Sequence, residues 1–378
     1  MNTKTKNLFA PFSSPDQPWK NRIVMAPMTR SRAIGHKPGE LAAAYYAQRA
    51  ASALIITEGT APSPEGIGYA RTPGIYNEGQ QQGWAKVAGA VHAAGGKIFL
   101  QLMHVGRIAH PDNMPEDTTI MAPSPVKAAG SIWTDTKGMQ EMGDPAEMSA
   151  GDIRRTIQAF AAAAKRAIAA GFDGVELHGA NGYLLEQFLN PHANQRGDEY
   201  GGSIENRVRF ILEVTDAVAE AIGKDKLGYR ISPYSTYNDM PLYDEIPETY
   251  KYLVAELGKR ELLYLHVVDI ARRDQDASLA IADLRSRFDG LLILNGGFDR
   301  ETAENALNRD SADLISFGAG FLANPDLPYR LEHRLELNAP DPATFFSADA
   351  KGYIDYPFHE QNEKALITDP AAGSNLPH

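Results

Sequence analysis

The chain has no cysteine among its 378 residues. Disulfides, thiolate catalysis and cysteine-held iron–sulfur clusters are excluded, so redox chemistry here needs a bound cofactor. Positive charge is also scarce. Lys and Arg number 37 against 48 Asp and Glu, a net charge of −11 that offers no basic surface to nucleic acid or an anionic membrane. Apolar runs are short and broken by polar residues, which predicts no transmembrane span. The N-terminal MNTKTKNLF lacks the apolar core and small-residue cleavage site of a signal peptide, so a cytoplasmic location is the expectation. What is present is ordinary for a folded enzyme: 43% hydrophobic and 22% charged residues, in a length that suits one large domain or two smaller ones.

Eight short apolar runs, each bounded by turn signals, read as strands: 22–26, 53–57, 97–101, 174–177, 227–231, 262–267, 290–294 and 313–317. Helical patterns lie between most of them, at 39–51, 83–94, 150–170, 204–222, 247–259, 300–308 and 325–335. Gly95, Gly171, Gly223 and Gly258 fall near helix ends, where glycine takes the left-handed cap conformation. Strand–helix alternation repeated eight times predicts an α/β fold of the (β/α)8 TIM-barrel type, a single domain over residues 1–378. An open doubly wound sheet is the alternative, but the first strand runs into Pro27-Met28-Thr29-Arg30 rather than a glycine-rich turn. The long loop after strand three, 103–148, is expected to form a lid or hairpin. The segment 338–378 is expected to pack on the barrel surface.

Barrels of this kind place their active sites at the C-terminal strand ends. Those positions read Thr29, Gly59, Gln101, His178, Arg230, His266, Gly296-Gly297 and Gly318, polar or glycine at every strand. The glycine turns after strands seven and eight suit a phosphate, because backbone amides can approach it closely. A phosphate there, with Gln101 and Arg230 across the mouth, fits flavin mononucleotide (FMN). The Gln101 amide can pair with the pyrimidine edge, Arg230 can offset charge that builds on the N1–O2 side, and Thr29 can donate to O4. After strand four, His178 and Asn181 can give two hydrogen bonds to one substrate oxygen, and Tyr183 carries a phenol able to deliver a proton. Alone, His178 is more often a structural histidine. No standard metal-ligand spacing includes it, and no metal is expected. Arg196, Asp198, Glu199 and Arg207 read as ion pairs, Ser203 as a helix N-cap, and Arg107 as either a salt-bridge or a rim residue. Phe346, Tyr353 and Tyr356 read equally as pocket lining or packing.

Taken together, IVMAPMTRSRA, LQLMHVGR, HGANGYLLEQFLNPHANQRGDEYGGSIENR, YRISPY and FGAGFLANPDLPYRL resemble the Old Yellow Enzyme family over nearly the whole chain. The resemblance implies that Pro27, Thr29, Gly59, Gln101 and Arg230 contact the flavin ring, and that Gly296, Gly297, Gly318 and Ala319 hold its phosphate. It implies a ping-pong cycle in which NADPH (or NADH) reduces the flavin at N5. An alkene activated by a carbonyl or nitro group then takes the hydride, its oxygen held by His178 and Asn181 while Tyr183 gives the proton. A monomer or homodimer is expected, with small-molecule partners only.

Three departures stand out. Met103 replaces a tryptophan common in the family and softens the substrate pocket wall. Ala319 replaces an arginine that pairs with the phosphate, which implies weaker flavin binding. Thr29 places the chain with the threonine type rather than the cysteine type. Two rival functions share some of these features. A phosphate-binding aldolase or isomerase would need a lysine or carboxylate base at a strand end, and no lysine sits there. A flavin storage protein would leave His178, Asn181 and Tyr183 without purpose.

Overall fold

The structure, a computed structural model, describes residues 6–14, 18–268 and 277–360. Eight parallel strands close into a barrel: β1 Ile23–Met25, β2 Leu54–Ile56, β3 Ile98–Leu102, β4 Gly174–Gly179, β5 Leu227–Ile231, β6 Tyr264–Val268, β7 Leu291–Asn295 and β8 Leu314–Phe317. Each pairs with its neighbour in sequence, and β8 returns to β1 through Ser316 opposite Val24. The expected TIM barrel is therefore what the chain forms. Ten helices appear among the described residues: α1 Glu40–Ala47, α2 Glu78–Ala93, α3 Ala150–Ala169, α4 Leu184–Leu189, α5 Ile204–Ile222, α6 Ile246–Lys259, α7 Ala277–Arg285, α8 Arg300–Asn308, α9 Ala319–Ala323 and α10 Leu327–His333.

Period-two alternation sorts the strand side chains into two cores. Ile23, Ile55, Leu100, Val175, Leu177 and Leu265 point outward and meet the helices. Val24, Leu54, Ile56, Phe99, Tyr264, Ile293 and Leu314 belong to a separate cluster that fills the barrel's lower interior. Above it the interior turns polar, with Gln101, Glu176, His266 and Ser316 all buried.

Several boundaries moved, for identifiable reasons. α2 starts at Glu78, not Gly83, because Asn77 and Gln80 form a reciprocal capping box. Gly83 then sits inside the helix, where a Cβ would lie 2.5 Å from the Pro38 carbonyl oxygen. Gly95, Gly171 and Gly223 do take positive φ, but Gly258 is helical, and Glu261 makes the left-handed turn instead. The short helices α4 and α9, and α7, were not evident from pattern. Ser203 caps α5 by accepting from the Asn206 amide.

The long loop after β3 contains an antiparallel hairpin, Ser131–Thr134 against Gly138–Glu141, and a small parallel pairing of Met121–Ala122 with Ala146–Glu147. Of the segment expected to pack on the barrel, residues 361–378 lie outside the described residues. The preceding stretch is fastened to the loop after β1. Arg30 donates to the carbonyls of Phe345 and Gly352, and Arg32 to those of Thr344, Phe345, Asp349 and Lys351. Tyr353 is fully buried and stacks on Tyr45 at 4.1 Å, so it packs rather than lines a pocket. Phe346 is exposed, and Tyr356 accepts from the Asp341 amide.

Candidate active site

The loop from β4 into α4 brings His178, Asn181 and Tyr183 together. His178 is 4% exposed, and its Nδ1 accepts the Ala180 backbone N–H at 3.3 Å. An N–H can only donate, so the imidazole proton belongs on Nε2. Burial, reinforced by Arg230 and His266, holds the His178 pKa well below the usual histidine range. The ring is therefore a neutral Nε2–H donor. Tyr183 lies beside it, with ring centroids 5.0 Å apart and edge-to-face, and the Tyr183 hydroxyl meets that of Tyr69 at 3.2 Å. Burial pushes the Tyr183 phenol up to about 12, so it is protonated at neutral pH.

Asn181 has φ +59, and Gly182 follows at +74. Two successive left-handed residues need outside support, since the first carries a Cβ. The Asn181 amide donates to Ser232 Oγ at 2.7 Å, and its carbonyl accepts from Asn238 Nδ2 at 2.8 Å. The Gly182 amide donates to Glu186 Oε2 at 2.6 Å. Glu186 also accepts from Ser232 Oγ at 2.9 Å and from the Tyr250 hydroxyl at 2.5 Å. Burial raises the Glu186 carboxyl to about 7 despite those donors. One buried carboxylate on α4 thus pins the turn that presents Asn181. The sequence gives no sign of this role for Glu186, which emerges only from contacts with Ser232 after β5 and Tyr250 on α6.

The remaining predicted residues ring the mouth. Thr29 and Pro27 are half-buried after β1, and the Thr29 hydroxyl makes no hydrogen bond among the described residues. Gly59 is buried, and a Cβ there would lie 2.4 Å from Met103 Sδ, so the glycine makes room for that side chain. Gln101 donates from Nε2 to Glu176 Oε1 at 2.8 Å. Gly297 has φ +70 with open space where a Cβ would be, and it and Ala319 are exposed. Gly318 would bring a Cβ only to ordinary contact with Met28.

Arg230 is 5% exposed, yet its Nε has no partner and its Nη2 reaches only Asn295 Oδ1, at 3.4 Å. An under-bonded buried guanidinium is costly unless a ligand supplies the acceptor. That orphan, with the open left-handed turn at Gly297 and the unbonded Thr29 hydroxyl, fits a flavin bearing a phosphate at one end.

His266 departs from its expected place. It is not at the strand end but fully buried, with Nδ1 2.8 Å from Glu176 Oε2 and Nε2 2.8 Å from Ser316 Oγ. It reaches Glu176 on β4 across β5, where Gly228 makes room for the Tyr264 ring. Arg107 is also structural. It donates to the carbonyls of Val126 and Asp239 and lies 3.5 Å from the Asp239 carboxylate, joining the loops after β3 and β5. Arg196 pairs with Asp198 and Arg207 with Glu245, as expected for loop and helix-start ion pairs. Among the described residues, no three His, Asp or Glu side chains are grouped to hold a metal, and no helix is long and apolar enough to cross a membrane. Sequence reasoning did not find Tyr69, Glu176 or Glu186. Glu176 alone left a signal, as a charge inside the apolar run GVEL.

A parallel barrel whose mouth combines glycine turns, an under-bonded arginine and a donor loop defines a phosphate-bearing cofactor enzyme. Comparison with known proteins gives the family. Residues 7–338 match the NADH:flavin oxidoreductase / NADH oxidase family. A probable flavin mononucleotide-dependent alkene reductase of Leishmania infantum is 44% identical, over 90% of this chain and 94% of that protein. The 12-oxophytodienoate reductase 1 of Oryza sativa subsp. japonica is 41% identical, over 96% and 95%. Among solved structures, morphinone reductase superposes with TM-score 0.90 at 40% identity, over 96% of this chain and 99% of that one. The Old Yellow Enzyme homologue of Zymomonas mobilis gives 0.88 at 37%, over 93% and 99%. The chain belongs to this FMN-dependent family, the Old Yellow Enzyme family.

Proposed function

We propose that this protein reduces the C=C bond of alkenes activated by a carbonyl or nitro group, among them enones, enals, maleimides and nitroalkenes, with NADPH (or NADH) as the electron donor. The observation that carries this reading is the loop itself: a neutral imidazole donor, a pinned asparagine and a protonated phenol presented together beside a buried arginine. When bound, FMN would accept hydride from the nicotinamide and deliver it to the β carbon of the alkene.

Thr29, Gly59, Gln101 and Arg230 would hold the flavin ring, with Pro27 beside it, and Gly296, Gly297, Gly318 and Ala319 would hold the phosphate. His178 Nε2–H and the Asn181 side-chain Nδ2–H would share the activating oxygen and bind its developing negative charge. A neutral donor suits this task because it can stabilise the charge without surrendering a proton. Tyr183 would supply the proton to the α carbon. Its hydroxyl contact with Tyr69 gives the departing phenolate a hydrogen-bond donor, and Arg230 also favours the anion. Met103, buried beside Gly59, would form the pocket wall.

A solved structure of morphinone reductase contains tetrahydroNAD, so both nicotinamides belong in the test. Anaerobic addition of NADPH, or separately NADH, should bleach the flavin's visible absorption, and cyclohexenone should restore it. A protein that takes up no FMN, or that bleaches but never recovers with any activated alkene, would end this proposal.

A further inference from the structure

Beneath the barrel mouth lies a buried carboxylate, Glu176, that the proposed chemistry does not use. Glu176 has no exposed surface, and each of its oxygens has a donor: Gln101 Nε2 on Oε1 and His266 Nδ1 on Oε2, both at 2.8 Å. The neighbouring mouth residues lie one strand step above it. His178 on β4 is in register with Arg230 on β5 and, through it, with His266 on β6, while Glu176 is opposite Gly228 and Gln101. An anion therefore lies under a cation. Burial raises the Glu176 carboxyl, but the His266 ring, Arg230 and Gln101 together hold it below the usual carboxylate range. Burial keeps His266 below the usual histidine range, and His178 lies lower still.

We propose that Glu176 sets the reduction potential of the bound flavin, its charge opposing that of Arg230 and its hydrogen bond fixing which end of the Gln101 amide faces the cofactor. The inference rests on the reading in which Gln101 and Arg230 meet the flavin ring. With Nε2 committed to Glu176, Gln101 presents Oε1 to the mouth as an acceptor for a ring N–H. Hydride reduction adds negative charge to the ring, which Arg230 favours and a buried carboxylate below it opposes. Glu176 then keeps the reduced flavin from being over-stabilised, leaving it a ready hydride donor.

The test is the midpoint potential of FMN-loaded wild type and Glu176→Gln, by anaerobic titration against a reference dye. The variant removes the charge and keeps an acceptor for Gln101, while its amide nitrogen faces His266 Nδ1, which must then accept. Its preference for reduced over oxidised FMN should rise about tenfold, an upward shift of about 30 mV for a two-electron couple. A role confined to packing would change stability and leave the potential where it was. If Glu176→Gln does not hold FMN, Glu176→Asp carries the test, because it draws the charge one methylene away from Gln101, and a smaller rise is expected. An unchanged or lowered potential overturns the inference. A wild type that binds no FMN overturns instead the reading beneath it, and the inference falls with it.

Discussion

The loop after β4 and the turns after β7 and β8 open onto the same barrel mouth, yet they are built in opposite ways. Around Asn181, nearly every backbone group is held by a side chain: Ser232, Glu186 and Asn238 fix two consecutive left-handed residues. At Gly297 and Ala319 side chains are small or missing, and the backbone is exposed. Aiming a donor at one oxygen requires supports that themselves cannot move. Receiving a phosphate requires only that nothing obstruct the amides. Substitutions should therefore act through geometry in the first region and through charge in the second.

The sharpest way to break this contrast is Tyr183→Phe. Alkene reduction should slow by about 10²–10⁴-fold, while flavin reduction by NADPH stays nearly intact in stopped-flow traces. Equal losses in both half-reactions would remove Tyr183 from its proton-donor role. Next in size is Ser232→Ala, which touches no substrate but leaves the Asn181 amide without its acceptor. A loss of about 1–3 kcal/mol in urea denaturation is expected, with kcat/KM for the alkene falling about tenfold. If stability dropped while alkene turnover held, the support would not be aiming Asn181.

On the phosphate side, Ala319→Arg should tighten FMN about tenfold in a fluorescence titration of the apoprotein, with little change in kcat. No tightening would mean that the phosphate does not reach Ala319. A further effect concerns pH. The Glu186 carboxyl moves from 4.5 to about 7 on folding, so the folded state holds its proton more tightly than the unfolded chain. That stabilisation is complete below about 4.5 and lost as pH rises through about 7. Wild type should therefore lose stability relative to Glu186→Gln across that window, and parallel stability curves would deny the shift.

Much of this contrast was legible in the sequence because its signals are local. Strand-end polarity picked out Thr29, Gln101, His178 and Arg230, and the glycine pairs picked out the turns proposed to take the phosphate. The supports were not legible, because they depend on neighbours distant in the chain. Glu186 sits in YLLEQFL, where a solvated helix face and a buried anchor look alike, and Tyr250 and Ser232 reach it from other elements. His266 is level with Arg230 and His178, but Glu176 and Ser316 hold its ring inside the barrel, and those partners come from other strands. Its partner Glu176 stands two strands away on β4, and no single strand reveals that pairing. Tyr69 is remote from Tyr183 in sequence, and only the folded loop after β2 brings them together.

The clamp formed by Arg30 and Arg32 has a consequence for how the chain is made. Their carbonyl acceptors lie as far along as Gly352, 322 residues beyond Arg30. Thr29 belongs to the loop these arginines fasten, so that side of the proposed flavin site is completed only after almost all of the described chain has left the ribosome. Contacts of such separation form slowly because their loops must close first. With Thr29 on the flavin as proposed, a nascent chain halted before Thr344 should bear the donor loop yet fail to retain flavin.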